Sequence, residues 1–305
     1  MKRILVTGSS GTIGTRLCEK FLENKVNFIG VDWKKNIWNK EIEKRTIHID
    51  LRNKNSVFKK LPKNIDLIVH LAANARVYNL VQNPNLALDN IITTFNILEF
   101  AHLNNIKNFI FASSREVYGN SKKIIHKEDD VNIEFIESPY SASKLSGELL
   151  TRSYQKCYGL NFIIIRFSNV YGMYDVSDRV VPLFIQLAKR NKNIIIYGKE
   201  KVLDFTYIDD AVGGLLLAIK KFTKVKNNVF NIASGRGTKI IDVGKLIIKI
   251  LNSKSKIIIK ENRTGEVIKY IANINKAKKL LNYHPKFFIK EGIIKSIEWY
   301  KNIFI

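Results

Sequence analysis

The stretch TGSSGTIG at residues 7–14 admits few folds. It lies between the apolar run Ile4-Leu5-Val6 and a segment in which Ile13, Leu17 and Phe21 fall near one helical face. A buried strand must end at about Thr7, turn through three glycines spaced three apart (Gly8, Gly11 and Gly14), and enter a helix at once. Glycine permits positive φ and close backbone approach. The N–H groups of a first helical turn favour an anion such as a pyrophosphate. An ordinary glycine-rich turn has the same local pattern, so the segments that follow must decide.

Those segments alternate. Apolar, β-branched runs occur at 26–32, 45–50, 65–72, 107–114 and 160–168, separated by helix-patterned stretches near 53–60, 84–105 and 139–158. Strands apolar on both faces, alternating with helices, make an α/β chain with a Rossmann-type, doubly wound parallel sheet. Past Arg166 the pattern loosens into short strands at 194–198 and 228–234, helices from about Asp209 and Lys239, and an amphipathic helix ending near Tyr300. The expected organisation is a dinucleotide-binding domain over 1–168 and a smaller, mainly substrate-binding lobe over 169–305, with segments returning to the first domain.

With 46% hydrophobic residues in 305, the chain supports a real core. It contains no run approaching the ~20 apolar residues that span a bilayer, and its first strand starts too near Met1 for a cleavable signal segment. A cytoplasmic protein with no membrane partner is expected. Cys18 and Cys157 have no C-x-x-C partner and are expected to be buried or neutral fillers; the five histidines lack ligand spacing, so no metal is expected. The net charge of +24 is dispersed in pairs such as Lys34-Lys35 and Lys278-Lys279, which argues for a solvated surface rather than a nucleic-acid stripe.

Two further features carry chemistry. The second strand ends in Asp32, where a carboxylate accepts hydrogen bonds from a ribose diol and repels a 2′-phosphate, favouring NAD over NADP. Tyr140 and Lys144 stand four apart on a helix beginning near Pro139. A phenol of pKa near 10 acts as a base at neutral pH only if its phenolate is stabilised by about 4 kcal/mol, for a shift of ~3 units. A neighbouring ammonium contributes to that. Ser113 or Ser114, at the carboxyl end of the preceding strand, would bond the oxygen that Tyr140 deprotonates.

In these motifs the chain resembles the extended short-chain dehydrogenase/reductases of the NAD-dependent sugar epimerase and dehydratase group. The resemblance runs through HLAA (70–73), SSREVYG (113–119), YSASK (140–144), RFSNVYG (166–172), DFTYIDDAV (204–212), FNIASG (230–235) and RTGEV (263–267). It implies that Gly8, Gly11, Thr12, Ile13 and Gly14 hold the pyrophosphate of NAD, Asp32 the ribose, and Asp50 with Leu51 the adenine. Leu71, Ala72, Ala73 and Asn90 would line the cofactor path. By the same resemblance Ser114, Tyr140 and Lys144 are catalytic, Lys144 also binding the nicotinamide ribose, and Asn169 contacts the phosphates of a nucleotide sugar. Val180 and Tyr197 then flank its base, with Arg76, Arg115, Glu116, Arg179 and Arg263 as further substrate contacts.

The departures bear on the reaction. Arg115 stands where the dehydratases carry an Asp, which argues against dehydration; Leu203 replaces an Arg that clamps the diphosphate, shifting that task to Arg263 or Arg179; and Thr93 replaces a helical Gly. The resemblance therefore implies an isomerase, a UDP-hexose 4-epimerase working through a 4-keto sugar, assembled as a homodimer. A decarboxylase, dehydratase or 4-keto reductase of the same group is the alternative, and a non-catalytic NAD-sensing or RNA-binding relative is the alternative of another class.

Overall fold

The computed structural model describes residues 3–303. Its main sheet has seven strands in the order Asn228–Ile232, Asn161–Phe167, Asn108–Ser114, Leu67–His70, Arg3–Thr7, Asn27–Asp32 and Thr46–His48. Every neighbouring pair is parallel. The order reverses beside Arg3–Thr7, so the carboxyl ends of Arg3–Thr7 and Leu67–His70 open a crevice there.

Alternate residues of each strand enter different cores. Ile4, Val6, Val69, Ile110, Ile163 and Ile165 pack into one, while Leu5, Ile68, Phe109, Phe111, Phe162 and Ile164 pack into the other. That is why these strands read as unbroken apolar runs. The ladders are shorter than the runs suggest: the 45–50 run pairs only over Thr46–His48, and 65–72 only over Leu67–His70.

The helix Pro139–Tyr158 begins at Pro139 itself, with Ser138 as its cap accepting from the Ser141 N–H, and ends at Gly159 in the left-handed region. It lies close against strand Asn108–Ser114: a Cβ at Gly147 would stand 2.3 Å from Phe111 Cζ. Helix Asn85–Leu103 packs beside it.

A second sheet centres on Val202–Tyr207, which pairs with Gly237–Lys239, Lys269–Ala272 and Asn169–Tyr171, with Ile125–His126 beyond Lys269–Ala272. Ile194–Tyr197 pairs with Ile257–Lys260. The 228–234 run extends the main sheet through Asn228–Ile232, whereas Ile125–His126 leaves the first half of the chain to join the second sheet. Short helices at Lys40–Lys44 and Val77–Gln82 were not foreseen. Among the described residues no helix is long and apolar enough to cross a membrane, and no group of three or more His, Cys, Asp or Glu side chains could hold a metal ion. Cys18 is buried, but Cys157 is exposed and fills no core.

Candidate active site

Two cavities meet at the crevice. A groove of about 870 Å³ runs along the glycine turn past Asp32, Leu51 and Ala72. A more enclosed cavity of about 340 Å³ is lined by Ser114, Tyr140, Lys144, Asn169, Val180, Tyr197 and Arg263. Leu71, Ala73, Arg76 and Asp175 belong to both walls.

The three glycines have three different tasks. Gly8 has φ +73°, and a Cβ there would lie 2.8 Å from the Ala72 nitrogen, so it lets the turn touch the segment after Leu67–His70. At Gly14 a Cβ would stand 1.9 Å from the Gly8 carbonyl oxygen, so it lets the helix close on its own turn. Only at Gly11 does a Cβ meet nothing nearer than 3.3 Å. There the groove comes down to bare backbone, at the start of helix Thr12–Glu23, whose cap makes no side-chain bond and whose first turn has no acid. Gly8 and Gly11 both line the groove, whereas Gly14 lies behind the turn. Ile13 lines the smaller cavity, and Thr12 donates its hydroxyl to the Tyr174 carbonyl at 3.3 Å, tying the helix to the 172–178 loop.

Asp32 is held ready by the Ser10 and Lys34 N–H groups, at 3.0 and 2.9 Å, although burial pushes its carboxyl above the usual range. Asp50 instead turns toward Arg52, at 2.6 Å, which also binds Asp89, and this pairing lowers the Asp50 pKa. Leu51 lies buried in the groove wall. The Asn90 amide is engaged by its neighbours: it accepts from the Asn74 N–H and donates to the Asn74 carbonyl and Ser143 Oγ. It therefore fixes the 71–76 segment against helix Pro139–Tyr158. Thr93 donates to the Asn90 carbonyl on the groove wall.

At the junction, the Tyr140 phenol is buried and hydrogen-bonded to Ser114. Burial raises its pKa, opposed by the Ser114 bond and by the charges of Arg179 and Arg115, while Glu116 acts the other way. Lys144 does not touch the phenol. Its ammonium donates to the Ala112 carbonyl at 2.8 Å and lies 6.0 Å from the Tyr140 ring centre, with its pKa lowered by burial to about 8. Beneath it His70 lies between Thr7 and Thr94 hydroxyls, at 2.7 and 3.2 Å, its pKa pushed down by burial to about 3.

The cations of the smaller cavity are mostly paired. Arg76 binds Asp178, Arg179 lies 3.5 Å from Asp175 and donates to the Ala75 carbonyl, and Arg115 binds Glu116 at 2.6 Å and Asn169 at 3.2 Å. Arg263, expected at the phosphates, stacks over Tyr197 at 3.8 Å and Tyr78 at 4.7 Å. Beside the buried Leu203 stands a cation that sequence reading overlooked, Lys201, which is buried and paired with Glu266. Also overlooked was the buried Glu148–Arg166 pair, whose carboxylate accepts from Ser113 Oγ at 2.5 Å and Arg166 Nε at 2.8 Å. Glu148 lies one turn beyond Lys144, the only signal in the sequence that could have pointed to it.

The arrangement can hold an extended dinucleotide in the groove and present a second ligand to one buried phenol. Residues 4–233 match the model of the NAD dependent epimerase/dehydratase family. The chain is 33% identical over 310 residues to a putative UDP-glucose 4-epimerase of Methanocaldococcus jannaschii, with 98% of each chain covered. Its structure is similar to that of Thermotoga maritima UDP-glucose 4-epimerase with UDP-glucose (TM-score 0.91, 31% identity, 98% and 99% covered). It is also similar to Bacillus cereus UDP-glucuronic acid 4-epimerase in complex with UDP-glucuronic acid and NAD (TM-score 0.89, 29% identity, 99% of both covered).

Proposed function

This chain belongs to the NAD dependent epimerase/dehydratase family, and we propose that it is an NAD-dependent 4-epimerase of a nucleotide diphosphate sugar, with a UDP-hexose as substrate. The observation that carries the reading is the buried Tyr140 phenol, beside Ser114 and Lys144 in the cavity that adjoins the dinucleotide groove.

In this reading the backbone from Gly11 to Ile13 holds the pyrophosphate, Asp32 the adenosine ribose, and Leu51 with Asp50 the adenine. NAD supplies the acceptor and then the donor of the C4 hydride, which leaves the sugar briefly a ketone that can be reduced from either face. Tyr140 takes the 4-hydroxyl proton as the sugar is oxidised and returns it on reduction, so the reaction has no net redox change. Ser114 holds the same oxygen. Because the phenol is buried, its ionisation depends on the charges around it; those of Arg179 and Arg115 lower its pKa, and Lys144, fixed on the Ala112 carbonyl, binds the nicotinamide ribose. Val180, Tyr197 and Arg263 hold the base, with Asn169 and Arg76 nearer the phosphates. Arg115, paired with Glu116 where the dehydratases carry an acid, favours epimerisation over water loss.

We place the enzyme in the cytoplasm as a homodimer, with residues 1–168 as the cofactor domain and 169–305 as mainly the substrate lobe. Helices Asn85–Leu103 and Pro139–Tyr158 expose Leu88, Phe95, Leu103, Leu149 and Tyr158, an apolar surface suited to a four-helix contact between two copies. The test of the activity is direct: NAD-loaded protein incubated with UDP-glucose, and product followed by NMR. The expected product is the C4 epimer with no net change in NADH absorbance; a 6-deoxy-4-keto sugar or net NADH formation would overturn the reading.

A further inference from the structure

Three consecutive residues at the end of strand Asn108–Ser114 are held by one face of helix Pro139–Tyr158. The Ala112 carbonyl accepts from Lys144 at 2.8 Å, Ser113 Oγ donates to Glu148 Oε1 at 2.5 Å, and Ser114 bonds the Tyr140 phenol. Tyr140, Lys144 and Glu148 stand four apart in succession, so each is one helical turn beyond the last. Tyr140 and Lys144 line the sugar cavity, and both have a part in the reaction above. Glu148 lines neither the cavity nor the dinucleotide groove.

Glu148 is nevertheless fixed with great care. It is only 2% exposed and accepts from Arg166 through Nε at 2.8 Å and Nη2 at 2.7 Å. Arg166 Nη1 in turn donates to the Glu128 carbonyl at 2.6 Å and to Tyr118 Oη at 3.0 Å, and Tyr118 donates to Asn231 Oδ1 at 2.7 Å. The carboxylate is thus anchored to strands Asn161–Phe167 and Asn228–Ile232 as well as to its own helix. A buried ion pair is a poor source of stability, because desolvation offsets most of its attraction and an apolar pair of similar volume does as well. What this pair supplies is direction. A carboxylate held by a two-pronged guanidinium accepts a further bond only from a set position.

That position matters for Ser114. Consecutive strand residues point to opposite faces, so tying Ser113 to the carboxylate turns the Ser114 side chain the other way, into the cavity wall it shares with Tyr140. Ser114 Oγ accepts from the Glu116 N–H at 3.2 Å, which leaves its own proton for the phenol oxygen. A hydroxyl aimed at that oxygen stabilises the phenolate and lowers the Tyr140 pKa, against the burial that raises it. The charges that also reach the phenol are those of Arg179, Arg115 and Glu116, with the Lys144 ammonium 6.0 Å from the ring centre. All of them lie outside the Ser113–Glu148 contact.

We propose, resting on the reading of Tyr140 as the base, that Glu148 is a positioning residue: clamped by Arg166, it holds Ser113 and thereby aims the Ser114 hydroxyl at the Tyr140 phenol. It touches neither sugar nor cofactor and acts only through the end of the strand.

Ser113→Ala tests this gently, because it removes the contact while Glu148 keeps both Arg166 bonds and no buried charge is left unpaired. Two readouts are taken on the NAD-loaded protein. One is kcat and KM for UDP-glucose; the other is titration of the Tyr140 phenol by its phenolate absorbance, as the difference between each protein and its Tyr140→Phe counterpart. Ser113→Ala is expected to lower kcat at least about tenfold with KM within about twofold of the parent. It is also expected to move the phenol titration upward by at least about half a pH unit. An unmoved titration overturns the proposal even if turnover slows, because a purely structural lesion would slow turnover without moving the phenol. A moved titration with unchanged kcat supports the positioning role and overturns Tyr140 as the base. If the unaltered protein leaves UDP-glucose unchanged, the epimerase reading fails, and the titration still decides the role of Glu148.

Discussion

The dinucleotide groove and the sugar cavity share a wall at Leu71, Ala73 and Arg76, yet they are made of different materials. The critical part of the groove is backbone. Gly8 and Gly14 exist to let main chain touch main chain, and Gly11 leaves main chain bare. The cavity is made of side chains drawn from segments as distant as Arg76 and Glu266, and four of its six cations already have acidic partners: Arg76, Arg115, Arg179 and Lys201. A backbone site resists change because steric overlap is the penalty. A paired-charge site is tunable, because a ligand binds by completing or exchanging partners.

The largest expected effect lies where the two regions meet. Tyr140→Phe removes only the ionisable oxygen, so turnover should fall by about a thousandfold or more with NAD still bound and the melting curve unchanged. Turnover within about tenfold of the unaltered enzyme would remove Tyr140 as the base and leave the junction without a chemical role.

The second prediction separates steric from open glycines. Gly14→Ala places a Cβ 1.9 Å from the Gly8 carbonyl oxygen, with no flexible side chain to yield, and should cost about 3 kcal/mol of stability in denaturant melts. Gly11→Ala should melt within about 1 kcal/mol of the parent while weakening NAD binding at least about tenfold. If both variants lose the same stability, the division of labour among the glycines is wrong.

A third measurement probes the cavity. Because Arg263 stacks on Tyr197 and Tyr78 rather than facing an acid, Arg263→Ala should weaken UDP binding by about 1 to 2 kcal/mol, the scale of a stacked cation, and leave NAD binding unchanged. That is less than the 2 to 4 kcal/mol appropriate to a buried phosphate clamp, the role its sequence context suggests. Calorimetry on the variant distinguishes the two.

The effect that is smallest near neutral pH concerns acid stability. His70 is fully buried and neutral, with a pKa near 3 against about 6.5 in the unfolded chain. Between those values the unfolded chain holds one more proton than the folded one, so stability falls as pH drops through that window, by up to ~1.4 kcal/mol per unit. Replacing His70 by Gln, which can still join the Thr7 and Thr94 hydroxyls, should remove that one-proton slope from the pH dependence of unfolding. An unchanged slope would assign the acid sensitivity elsewhere.

How far the sequence could be read follows from these materials. The strand-turn-helix at 3–23, the helix beginning near Pro139, and the succession of the first six strands along the chain were all legible, since each depends on near neighbours and on apolar periodicity. The place of Asn228–Ile232 at the edge of the main sheet was not, because an apolar run does not say which sheet it will join. Tyr140 and Lys144 were visible as an i, i+4 pair, but not that the ammonium would settle on the Ala112 carbonyl. Asn90 was expected beside the cofactor, while its commitment to Asn74 and Ser143 depends on contacts spanning the fold.

By itself, then, the sequence determined the parallel sheet, the glycine turn, the acid at the end of the second strand, and the phenol on its helix. Each is dictated by local backbone sterics or by a fixed period, and neither depends on distant partners. Only the tertiary structure decided which charges in the sugar cavity neutralise one another. Lys201 meets Glu266, Arg115 turns to its neighbour Glu116 and to Asn169, and Arg263 lies on two aromatic rings instead of an acid. The physical reason is that a long cationic side chain can reach several partners from one backbone position, and the choice among them is made by burial and geometry once the segments have come together.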